Sequence, residues 1–202
     1  MKLYVTIPAL VAAGLLSACN SSTTIPTSQV DGAIGFLEAL DEGDFAEVDP
    51  ADLPDNATMN GYLAASENGG DTGYLGDATA DFNFANNSLS GSATNFNEYE
   101  VSEDDDGLTT EQGRALDGSL AITGDIEDTT FYYSANGQLT SEVEELGTVT
   151  ANVFLDGQGN IFSLDDKLTA TGAGSGSVDT ISSEEEGYLG AFGLENVIGL
   201  QE

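Results

Sequence analysis

From Thr58 onward the chain keeps a period of two, and that alternation limits its fold more than any other feature. Ala78, Ala80, Phe82 and Phe84 alternate with Thr79, Asp81 and Asn83. After the turn signal Asn86-Asn87, Leu89, Gly91 and Ala93 alternate with Ser90, Ser92 and Thr94. Leu116, Leu120 and Ile122 repeat the pattern beside Asp117, Ser119 and Thr123, as do Val149, Ala151, Val153 and Leu155 beside Thr150 and Asn152. Segments of this kind read as strands with one buried and one wet face, so Phe82 and Phe84 are expected to point inward. Eight strands are expected, near 58–66, 76–85, 88–98, 115–124, 129–135, 146–155, 160–170 and 187–200. Asn68-Gly69, Asp106-Gly107, Asn136-Gly137 and Asp156-Gly157 read as hairpin turns or loops between them. No long helical pattern separates the strands, which argues for an antiparallel sheet. Gly61, Gly91, Gly118, Gly190 and Gly193 fall inside strand-like stretches, where barrels place bends and bulges. The expected fold class is therefore all-β: an eight-stranded antiparallel β-barrel over residues 57–202. A two-sheet sandwich is the alternative that the same strand count allows.

The N-terminus reads as an address. Lys2 precedes an apolar stretch from Leu3 to Leu16, a basic n-region and an h-region too short for a comfortable membrane span. It ends in Leu16-Ser17-Ala18-Cys19, which resembles the lipobox of bacterial lipoproteins. That resemblance implies a signal peptide over residues 1–18, cleavage between Ala18 and Cys19, and lipid attachment at Cys19, the single cysteine of the chain. Several acyl chains on one residue anchor durably, because each buried methylene adds about 0.8 kcal/mol. Residues 19–56 then hold the lipidated cysteine, a small polar tether marked by Pro26, and a short helix around Ile34, Leu37 and Leu40 that Gly35 and Gly43 weaken. The expected location is the bacterial cell envelope, exported and lipid-anchored, at the outer membrane on its periplasmic or surface face.

Composition narrows the function. The chain has 36 acidic residues against 3 basic ones, no histidine and one cysteine, for a net charge of −33. Cleavage would remove Lys2 and leave Arg114 and Lys167 as the only basic side chains. Phosphate backbones are repelled by such a surface, so nucleic acid is excluded as a partner. No basic patch remains to hold the protein on anionic lipid, which leaves the lipid anchor as the membrane contact. Absence of histidine removes Ser-His and Cys-His nucleophiles and histidine-containing zinc sites. The acids are spread along the chain rather than gathered in one block. That spread favours a solvating surface over a dedicated site for a cationic partner.

The stretch Met59-Asn60-Gly61-Tyr62, followed by Ala78-Thr79-Ala80-Asp81-Phe82 and Leu89-Ser90-Gly91, resembles the opening strands of the β-barrel domain of transferrin-binding-protein-B-like lipoproteins. Gly190-Ala191-Phe192-Gly193-Leu194 resembles that family's closing motif, with one aromatic missing and Leu194 where the family has proline. The resemblance covers roughly residues 50 to 200 as one barrel without a handle domain. It implies a lipoprotein whose barrel loops meet a protein or small-ligand partner, and not capture of transferrin, whose contacts come largely from handle loops.

Candidate chemistry is sparse. Asp104-Asp105-Asp106, Glu184-Glu185-Glu186 and the group Asp41, Glu42, Asp44 and Glu47 invite a calcium reading. Placing Gly107 at the sixth position of an EF-hand loop puts Ser102 first and Gly113 twelfth, where a glutamate is needed, so that motif fails. Gly172-Ala173-Gly174-Ser175-Gly176 lacks the lysine of a phosphate loop and reads as a flexible loop. No catalytic residue, metal ligand or cofactor site is assigned. The expected function is a non-enzymatic binding module, with a structural envelope lipoprotein or a calcium-dependent binder as alternatives.

Overall fold

The computed structural model of the chain describes residues 14–15, 27–43, 45–67, 72–104, 107–144, 146–182 and 187–202. Eight long strands follow one another: β1 (Asn56–Glu67), β2 (Thr72–Asn83), β3 (Ser88–Asp104), β4 (Gly107–Glu127), β5 (Thr130–Val143), β6 (Gly147–Leu164), β7 (Lys167–Ser182) and β8 (Gly187–Gln201). Each pairs antiparallel with the next, and β8 pairs antiparallel with β1. The result is a closed barrel, as the alternation predicts, and not a sandwich.

The register sets the barrel's width. Cross-strand partners lead from Met59 through Ala80, Gly91, Ile122, Ala135, Leu155, Gly176 and Leu194 back to Glu67, eight residues along β1 from the start. Eight strands with a stagger of eight tilt by about 36° and leave an interior that side chains just fill. Met59, Leu63, Phe82, Leu120, Ile122, Phe131, Leu155, Ile198 and Leu200 do so, all essentially inaccessible to solvent. Phe131 meets Phe82 edge-on at 5.6 Å and Tyr133 at 5.8 Å.

So narrow an interior explains where the glycines stand. A Cβ at Gly157 would meet the Tyr133 ring, and one at Gly159 or Gly172 would meet the Phe131 ring. Four sequence expectations are corrected by the observed strand bounds. Asp156-Gly157 and Asn136-Gly137 are not turns but lie inside β6 and β5. Gly172–Gly176 is not a loop but runs through β7, and the strand expected at 160–170 is interrupted by the β6–β7 turn. That turn is Asp165-Asp166, both in the left-handed region, as is Asp128 at the β4–β5 turn. Phe84, expected inward, lies in a short 3-10 turn (Phe84–Asn86) at the end of β2 and stacks on Phe82 from there. Asn87 closes this turn in the left-handed conformation that asparagine tolerates. The Asn68-Gly69 signal and Asp106 lie outside the described residues.

One helix, α1 (Thr27–Glu42), packs on the outside of the barrel. A 16-residue helix with Gly32 and Gly35 in its interior does not stand alone. Its docking is specific: Gly199 of β8 leaves room for the Phe36 ring, and Gly32 lets the Tyr62 hydroxyl approach the helix backbone. The chain then runs past Leu164, where Phe45–Ala46 pairs with Ser163 and Leu164, and Phe45 packs on Phe162 at 5.2 Å. Gly14–Leu15 forms a two-residue parallel pairing with β4 at Thr109 and Thr110.

Candidate functional site

The barrel interior holds structure rather than an open lumen. Within it lies a buried polar pair, Tyr133 and Asn196, in which the phenol donates to the Asn196 side-chain oxygen. Asn196 Nδ2 donates in turn to the backbone carbonyl of Asp156 at 3.4 Å. Burial, reinforced by Asp156, pushes the Tyr133 hydroxyl well above its usual pKa, so it stays a donor.

Two hollows lie on the outer face. One, of about 540 Å³, runs between α1 and the strands β1 and β2, with Phe36, Tyr62, Asn60 and Thr79 around it. Its position follows from how the helix is anchored. A bulge at β3 puts Asn95 in the left-handed conformation and turns its carbonyl outward. Gln29, buried near the start of α1, donates from Nε2 to that carbonyl at 3.1 Å and to Asp77 Oδ1 at 2.9 Å. Its Oε1 accepts from Asn97 Nδ2 at 2.6 Å and from the Tyr99 hydroxyl at 3.5 Å. Asn95 Nδ2 holds the other Asp77 oxygen at 2.9 Å. Burial and the Asp77 carboxylate push the Tyr99 hydroxyl up to about 12.

The second hollow, of about 560 Å³, lies across β4, β5 and β6. Tyr132 is 44% exposed there. Its cross-strand neighbours are Asp125 on β4 and Gln158 on β6. Thr123, Ser134 and Asp156 also line it, and Ser134 Oγ donates to Asp156 Oδ1.

Cys19, the residue assigned to lipid attachment, lies outside the described residues, as do Asp105, Asp106 and Glu184–Glu186. Asp104 ends β3. Asp41 and Glu42 close α1, exposed to solvent, and Glu47 is exposed beyond it. Among the described residues, no three His, Cys, Asp or Glu side chains are gathered as a metal site. Arg114 Nε pairs with Glu98 Oε1 at 3.0 Å. Sequence reasoning did not find Gln29 or Tyr132. Each is a single residue on an element whose periodic pattern speaks of packing, and only the fold shows what surrounds it. Comparison with protein-family models, curated proteins and solved structures returns no match.

Proposed function

We propose that this chain is a cell-envelope lipoprotein, acylated at Cys19, whose β-barrel acts as a non-enzymatic binding module beside the membrane. The observation that carries the reading is the single cysteine, placed at the end of a basic n-region and a short apolar h-region, directly before a polar stretch. The fold supports it from the other side. Seven residues separate Cys19 from Thr27, where α1 begins, so the tether reaches at most about 25–30 Å. Because Gln29 and Phe36 fasten α1 to the barrel, the barrel rides close to the anchor. Its outer face carries Asp81, Asp117, Asp125, Asp156 and Glu195 at exposed positions, whereas a lipid-facing barrel surface needs an apolar band. The likeness to transferrin-binding-protein-B-like barrels rests on the β1–β3 motifs.

Metabolic labelling with a fatty-acid analogue tests the anchor. The wild-type chain should take up label and fractionate with membranes. The Cys19→Ser variant should remain unlabelled and uncleaved, and label retained on that variant refutes the reading.

A further inference from the structure

The hollow on β4–β6 has a composition that the barrel itself does not explain. Tyr132 points outward and is 44% exposed, with the short side chains Thr123 and Ser134 beside it and the exposed Phe154 farther along the same face, two residues from Asp156 on β6. Asp125 stands directly opposite it on β4, a spacing of about 5 Å between β-carbons. Asp156 lies one diagonal step away on β6, opposite Ser134. Thr123 and Ser134 are short, so the space beside the ring stays open to about 560 Å³. Among the described residues, neither carboxylate has a basic side chain beside it. Arg114 is engaged by Glu98, and Lys167 sits opposite Leu164 at the β6–β7 turn. An exposed aromatic face between two carboxylates without a countercation is attractive to a cation that is cheap to dehydrate.

We propose that this hollow binds a small quaternary ammonium group, seated on the Tyr132 ring and flanked by Asp125 and Asp156. This names a ligand class for the binding-module reading and rests on it. The ring quadrupole attracts a cation over its face. The methyl groups spread the charge and lower the cost of leaving water, which favours a quaternary centre over a sodium ion. A primary ammonium would need acceptors converging on its three protons. Here the two carboxylates stand on different strands, Asp125 on β4 and Asp156 on β6, and flank the ring rather than converge on one point. Phosphate and carboxylate ligands are repelled at the same spot.

The test is a titration of the full lipidated protein in detergent micelles with choline, followed by amide chemical shifts at constant 0.15 M ionic strength. Saturable shifts confined to residues around Thr123–Asp125, Tyr132–Ser134 and Asp156 are expected. Tyr132→Leu should weaken choline binding about two- to fivefold, the range for an exposed ring, and Tyr132→Phe should preserve it. Asp125→Asn should weaken it as well, whereas Asp117→Asn, on the same strand away from the hollow, should leave it unchanged. Tetramethylammonium should compete and sodium should not. If choline saturates elsewhere on the barrel with these variants inert, this site is refuted while the binding-module reading survives. If shifts are diffuse, unsaturable and equal for sodium, the site is refuted as a property of bulk negative charge.

Discussion

Gly76 offers a direct test of how tightly this barrel is filled. An alanine Cβ there would stand 2.6, 2.7 and 2.8 Å from Cε1, Cζ and Cδ1 of Phe96, and these are its three nearest atoms. Gly76 is not among the residues with positive φ, so its backbone suits an L-residue. Two opposing effects then act on Gly76→Ala. Loss of unfolded-chain entropy stabilises by about 0.4–1 kcal/mol. Overpacking against a ring that is only 2% exposed destabilises by about 1–3 kcal/mol. With Phe96 present the second effect wins, and the variant should be less stable. Phe96→Ala alone should cost about 3–5 kcal/mol. In that background the obstacle is gone, and Gly76→Ala should change sign and stabilise. The entropy gain is common to both backgrounds and cancels, so the cycle should show a favourable coupling of about 1–3 kcal/mol between the sites, the overpacking cost itself. Urea unfolding of the four proteins at one salt concentration measures it, provided the m-values agree. Phe96→Leu, which retains more of the core, runs the same cycle at smaller loss of stability. Strict additivity, or a Gly76→Ala protein at least as stable as wild type, would refute the claim that the glycine is there to admit the ring.

Three further outcomes are expected. Gln29→Ala should remove one of the two acceptors of the buried Asn97 amide, leaving the Asn95 carbonyl, and cost about 1–3 kcal/mol, with faster hydrogen exchange across α1 and little change in β5 and β6; unchanged exchange in α1 would show that the helix is held by other contacts. Tyr99 is raised to about 12 by burial and Asp77, so the folded state binds more protons than the unfolded one between pH 10 and 12. Its contribution is complete below pH 10 and is lost as pH rises toward 12, which a Tyr99→Phe variant should reveal as a shallower alkaline loss of stability. With 36 acidic residues against 3 basic ones, stability should rise with NaCl as the screening length falls from about 10 Å at 0.1 M to about 3 Å at 1 M. A flat response to NaCl together with a jump on micromolar Ca²⁺ would instead mark the acids as ligands.

What the sequence determined by itself was the class of fold and the order of its strands. Alternation such as Ala78-Thr79-Ala80-Asp81-Phe82 is a local consequence of one face being buried, and it survives without knowledge of neighbours. The cysteine at position 19 is likewise legible only as a linear signal, since its meaning lies in the residues before it. Turn positions were less legible, because glycine serves two purposes that look alike in one dimension. Gly157 and Gly172 follow turn-like or loop-like signals, yet both stand inside strands, where they yield space to Tyr133 and Phe131. The turns themselves fall at Asp128 and Asp165-Asp166, which carry weaker signals. The outer-face sites depend wholly on closure. Gln29 meets Asn97 across 68 residues, and Tyr132 meets Gln158 across a register fixed by the whole β5–β6 ladder. A side chain's own sequence neighbours state whether it is buried, but which groups it faces is set by the stagger of eight strands around a narrow core.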